Sequence, residues 1–131
     1  MAADFARQAI DIELNTETGT DHGTANYLEA LTLAYVETGN TDKALQTIEE
    51  ALNLVPESRD SLKGASLSYS RAYVLAMANR RDEALAEINR LLNTPGGMER
   101  WELYLNPQWD FFRDDERFNE LIKPLNLEEA G

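Results

Sequence analysis

Apolar positions in this chain recur three and four residues apart between short polar breaks, and the period-two alternation of strands is nearly absent. The spacing predicts a first helix over 3–14, with Phe5, Ala6, Ala9 and Ile10 on one face. A run of turn formers, Asn15 to Gly23, follows as a loop, from which Asp21 or Thr24 caps a helix over 25–38. Gly39-Asn40 stops that helix, because glycine tolerates the left-handed conformation of helix ends. Thr41 or Asp42 caps the next, which runs to about Leu54 before Pro56. Helices over 60–78 and 81–93 follow, the second broken by Pro95-Gly96-Gly97. A short helix near 98–104 halts at Asn106-Pro107. The last starts after Asp114 or Asp115, with Phe118, Leu121, Ile122 and Leu125 at i, i+3, i+4 and i+7. The expected fold class is all-α, about seven helices in antiparallel pairs.

The pattern also repeats itself. Asp42-Lys43-Ala44-Leu45 returns as Asp82-Glu83-Ala84-Leu85, 40 positions later, and the sizes around it return too. Ala44, Ile48, Ala51 and Leu52 answer to Ala84, Ile88, Leu91 and Leu92. Small residues at such points let paired helices approach closely while larger ones fill the gaps.

These residues resemble the tetratricopeptide repeat family, whose pattern is W-x2-L-G-x2-Y, then A-x3-F, then P. Leu28, Leu31, Thr32 and Tyr35, then Ala44 and Ile48, then Pro56 keep that spacing, with Leu28, Thr32 and Ile48 as substitutions. The second copy matches at Ala72, Leu75, Ala84 and Ile88, but Ser68 and Arg71 stand where large apolar residues belong, and Pro95 comes one place early. The resemblance implies an α-solenoid in a single domain over 1–131: a half repeat at 2–14, repeat one at 25–58, a degenerate repeat two at 62–96, and a cap at 98–125. The closing run is similar to the end of tetratricopeptide regions at the C-termini of bacterial signalling proteins. Pro107, Trp109, Asp110, Arg113, Asp114, Arg117 and Phe118 match, whereas Phe111, Phe112 and Glu116 depart. Such regions sit behind kinase, cyclase or DNA-binding domains. With the orphan half repeat, this implies the C-terminal, regulatory or scaffolding part of a larger protein.

Two readings compete for Trp109, Phe111, Phe112 and Phe118. They could line a ligand pocket beside Asp110 and Asp114, or cover the apolar face that the last helix pair leaves bare. Large rings bury large areas, at about 25 cal/mol per Å², and Asp114 or Asp115 suits a helix N-terminus. Covering is the expectation.

Charge narrows the partners. The chain has 131 residues, 24 acidic against 12 basic, and a net charge of −12. Such a surface does not suit phosphate backbones, which need cations to release counterions, nor anionic lipid. No cysteine is present, and no apolar run approaches the ~20 residues of a membrane span. A cytoplasmic protein is the expectation, acting on neither nucleic acid nor membrane.

Candidate chemistry is sparse. His22 stands with Asn15, Glu17 and Asp21, but the spacing lacks the glycine-centred, Glu-terminated pattern of a calcium loop. One His without Cys makes a poor zinc site. Glu49-Glu50 and Asp114-Asp115-Glu116 read as charged helix faces, and Gly96-Gly97 as a turn rather than a phosphate cradle. Neither an enzyme nor a resident cofactor or metal is expected.

What remains is a groove. The resemblance implies a concave face lined by Asn26, Glu29, Leu33 and Val36, then Ser66, Tyr69, Tyr73 and Ala76, with Met77 beside them. Tyrosine and methionine make good contact residues. The alternative is that the tyrosines pack against the chain's own last helix. The implied function is protein or peptide binding. Residues by which chaperone-binding relatives clamp a terminal carboxylate are replaced by Glu29 and Leu33, so an acidic tail is a poor ligand. Homodimerisation through the first helix or the groove is the other reading.

Overall fold

The computed structural model describes residues 21–123. Over that span it is all-α, with no strand: α1 (Asp21–Glu37), α2 (Thr41–Leu54), α3 (Ser61–Met77), α4 (Arg81–Leu92), α5 (Arg100–Leu105), a 3-10 helix η1 (Pro107–Phe112) and α6 (Glu116–Ile122). The expected half repeat at 2–14, the loop residues Asn15 and Glu17, and Leu125 lie outside the described residues. Each long helix packs on the next, and α1 also touches α3.

Two expectations about boundaries need correction. Residues 21–23 are not loop but the opening of α1, which includes His22. Both polar residues there are engaged by the α2–α3 connection: His22 Nε2 lies 2.7 Å from Asp60, and Arg59 pairs with Asp21. Between α5 and α6, where no helix was expected, Pro107–Phe112 winds into η1, with proline in its first turn and the Asn106 side chain accepting the Gln108 N–H at 2.9 Å. At the start of α2 the capping position is Asn40, which makes no side-chain bond, rather than Thr41 or Asp42.

The 40-residue repeat is a repeat of backbone geometry. Gly39 and Asn79, 40 positions apart, both take positive φ, at 78° and 62°. Around the first, Gly39 N–H bonds to the Val36 carbonyl and Asn40 N–H to Tyr35; around the second, Asn79 bonds to Ala76 and Arg80 to Leu75. This pair of bonds is the Schellman ending, and it turns each long helix back upon its partner in the same way. Ala44, Ile48, Ala84 and Ile88 are each fully buried at the resulting contacts, as are Thr32 and Ala72 on the helices opposite. Thr32 satisfies its buried hydroxyl on the Leu28 carbonyl one turn back, at 2.7 Å.

The connection from α2 to α3 is packed tightly. Pro56 presents its carbonyl to the N–H groups of Arg59 and Asp60, and Asp60 caps α3 through the N–H groups of Leu62 and Lys63. The turn then lies directly on α3. A Cβ on Gly64 would come within 2.7 Å of the Pro56 carbonyl carbon, and closer still to the Glu57 backbone nitrogen.

From this turn Glu57 explains the two departures in the second repeat. Its carboxylate accepts the Ser68 hydroxyl at 2.8 Å and a forked pair from Arg90 at 3.1 and 2.7 Å. Arg90 also holds Glu87, at 2.7 Å, and Glu87 reaches Arg71 at 3.4 Å; Arg71 pairs in turn with Glu49 of α2. Ser68 and Arg71 therefore stand where apolar residues were expected because they belong to a polar lattice joining α2, α3, α4 and the connecting turn.

The closing segment is a cover, as the aromatic run implied. Trp109, Phe112 and Phe118 are wholly buried with Ala72, Leu75, Ala84, Ile88, Leu91 and Leu103. Phe112 and Phe118 stack with centroids 4.7 Å apart, and Phe118 stacks on Trp109 at 5.6 Å. Arg81 of α4 lies over the Phe112 ring, 5.2 Å from its centroid, and reaches Asp114 and Asp115 at 3.2 and 3.4 Å. Asp115 caps α6 through the Arg117 N–H. Arg113 donates to the Leu103 and Asn106 carbonyls, both at 3.0 Å, closing the end of α5.

Candidate interaction surface

α1 and α3 run in the same direction. Glu29 of α1 meets Lys63 and Ser70 of α3, and further along, Val36 packs with Val74 and Tyr73. Their outward faces therefore form one surface, continued at the far edge by η1.

The expected groove residues divide into four groups on this surface, the two tyrosines making the last. Leu33 and Met77 are accessible, at 40% and 38%, and Asn26 is exposed. Val36 and Ala76 are not available to a ligand: Val36 is 8% exposed, closed over where α1 and α3 converge, and Ala76, at 5%, belongs to the core beneath the cover. Glu29 is already engaged, its carboxylate 3.2 Å from Lys63 Nζ and 2.7 Å from Ser70 Oγ. That pairing neutralises a charge expected to select partners.

Tyr69 and Tyr73 answer to both sequence readings at once. Each is half-buried. Trp109 Nε1–H donates to the Tyr69 hydroxyl at 2.7 Å, and the two rings meet edge to face with centroids 5.8 Å apart. Tyr73 meets Trp109 and Phe111 edge to face, at 5.5 and 5.9 Å. The tyrosines are the seat of the aromatic cover on one side and part of the open face on the other. Burial, the largest influence on both, pushes their hydroxyl pKa values up; Glu102 beside Tyr69 and Glu37 beside Tyr73 push the same way.

Phe111 is the residue the sequence reading assigned to the cover and the structure leaves partly open. It is 38% exposed while still stacked on Trp109 and Phe112. On the 3-10 turn of η1 the neighbouring Phe111 and Phe112 cannot share one face, and Phe112 takes the buried side. The preceding helix, α5, exposes Trp101, Tyr104 and Leu105, at 59%, 46% and 67%.

A concavity of about 560 Å³ lies between α4 and α6, lined by Leu85, Ala86, Asn89 and Leu121 and rimmed by the Asp82–Arg117 ion pair at 2.6 Å. Among the described residues, no three His, Cys, Asp or Glu side chains are grouped to hold a metal ion, and no helix is long and apolar enough to cross a membrane.

Fold and surface together define an all-α domain of two equivalent helix hairpins, closed by an aromatic segment and carrying one face of half-open rings. No family model, curated protein or solved structure matches the chain.

Proposed function

We propose that the chain is a tetratricopeptide-type interaction module, a solenoid segment that displays the α1–α3–η1 face to a protein or peptide partner. The observation that carries this reading is the exact 40-residue recurrence of the helix-ending turn and of the small buried residues that follow it. That recurrence stacks two hairpins in parallel register and leaves Leu33, Tyr73, Met77 and Phe111 accessible on one side. The module is non-catalytic on this reading: most of its arginines are held in ion pairs by carboxylates of the chain, several of them across helices, which suits fixing a shape. By the resemblance of its closing run, it serves as the C-terminal regulatory or scaffolding part of a bacterial signalling protein, in the cytoplasm.

Selection of a random dodecapeptide library on the immobilised chain tests the reading. Peptides should be enriched, and Leu33→Ser with Met77→Ser should reduce their binding at least tenfold with the melting temperature retained. If nothing is enriched, and sedimentation shows mass rising with concentration, the surface serves self-association instead.

A further inference from the structure

Resting on the interaction-module reading, we propose that the occupant of this face is a basic, apolar peptide segment, with apolar side chains on Tyr73, Met77 and Phe111 and cationic side chains at Glu37 and Glu102. The argument is one of charge complementarity. Of the arginines and lysines in the described residues, most are held by carboxylates of the chain itself: Arg59 by Asp21, Lys63 by Glu29, Arg71 by Glu49 and Glu87, Arg80 by Glu83, Arg81 by Asp114, Arg90 by Glu57, Arg113 by Asp110, Arg117 by Asp82. With 24 acids to 12 bases, carboxylates are left over.

Two of the surplus carboxylates stand at the rim of the aromatic face. Glu37, exposed at the end of α1, directly follows Val36, which packs with Tyr73. Glu102, exposed on α5, accepts through its carbonyl the N–H of Asn106, where the segment carrying Trp109 and Phe111 begins. After burial, the larger influence, the two carboxylates also push up the pKa values of the Tyr73 and Tyr69 hydroxyls. Neither is held by an arginine or lysine of the described residues. Tyr73 and Phe111, in edge-to-face contact on this face, offer rings whose π faces also attract cations. Tyr69 to Met77 spans eight residues of helix, about 12 Å at 1.5 Å per residue, a reach that about four extended residues cover. Arginine suits the site best, since one guanidinium can both pair a carboxylate and lie on a ring. A second copy of this chain does not suit it, because each copy carries −12 and would bring its own surplus carboxylates. An acidic segment fails for the same reason.

Three fluorescein-labelled octapeptides test this by fluorescence polarisation: alternating leucine and arginine, alternating leucine and glutamate, and alternating glutamine and arginine. Binding of the leucine–arginine peptide alone is expected, weakened about tenfold by Glu37→Gln with Glu102→Gln, and similarly by Met77→Gln, in variants whose circular dichroism and melting are unchanged. Equal binding of the glutamine–arginine peptide, or indifference to Met77→Gln, would overturn the proposal by showing diffuse charge attraction. Binding of the leucine–glutamate peptide that depends on Met77 would overturn the basic partner while leaving the interaction module standing. Failure of all three up to millimolar concentration overturns the proposal, and the dodecapeptide selection then decides the module by itself.

Discussion

At the scale of single residues, the tightest constraint falls on Gly64. It sits inside α3, where glycine ordinarily costs about 1 kcal/mol relative to alanine, so its presence needs a reason. The reason is distance: the Pro56–Glu57 backbone occupies the space that a Cβ would need. Gly64→Ala should therefore gain nothing from helix propensity and lose about 1–3 kcal/mol to overpacking, read as a lower urea midpoint with unchanged slope. A stabilised variant would show that the turn can lift away from α3. The run from Pro56 to Gly64 also resembles the linker of such tetratricopeptide regions, but the likeness does not say why glycine is needed there. Its meaning comes from a contact between segments, and a linear pattern does not contain that.

At the scale of elements, the turn between α2 and α3 is tied to α4 by charge. Glu57 has its pKa lowered from 4.5, chiefly by the Arg90 fork, with Ser68 helping and burial opposing. A carboxyl whose folded pKa is depressed stabilises the fold above its unfolded value, and that contribution is lost as pH falls from 4.5 through the folded pKa. Thermal melts between pH 7 and pH 3 should show stability falling in that acid window. The fall should be shallower in Arg90→Met, where Glu57 has lost its main partner; identical acid profiles would mean that the fork contributes nothing. Ser68 and Arg71 show why this lattice was hidden in the sequence. Each reads as a flaw in an apolar stripe until its partners, Glu57, Glu49 and Glu87, are brought together by the fold. By contrast, the helix pairs, the burial of Ala44 and Ala84 and the covering function of Trp109 and Phe118 were legible, because each depends on local spacing and ring size. Of the expected site, Leu33 and Met77 are open, whereas Val36 and Glu29 are taken up by the α1–α3 junction, which helix periodicity alone does not locate. Phe111 went unassigned to the surface because its exposure follows from η1, a turn without apolar periodicity.

For the whole molecule, opposite electrostatic effects of salt compete. Screening weakens the ion pairs that join the helices, but it also weakens repulsion among carboxylates in a chain of net charge −12. Exposed pairs are worth about 0–1 kcal/mol each, whereas the repulsion sums over every surplus charge. The second effect should win: the melting temperature should rise between 20 mM and 0.5 M sodium chloride, and a fall would assign the larger share to the ion pairs. The same surplus would draw the proposed basic peptide, since long-range attraction acts before any ring is touched.

The two indoles of the domain sit in opposite surroundings. Trp101 is 59% exposed on α5, whereas Trp109 is wholly enclosed and hydrogen-bonded to Tyr69. Iodide dissolved in the medium therefore reaches one emitter and not the other, so the fluorescence divides into a quenchable long-wavelength part and a shielded short-wavelength part. Lifting the aromatic segment off the hairpins would merge the two before any helix melts. The protein thus carries a built-in optical gauge of whether its end is shut.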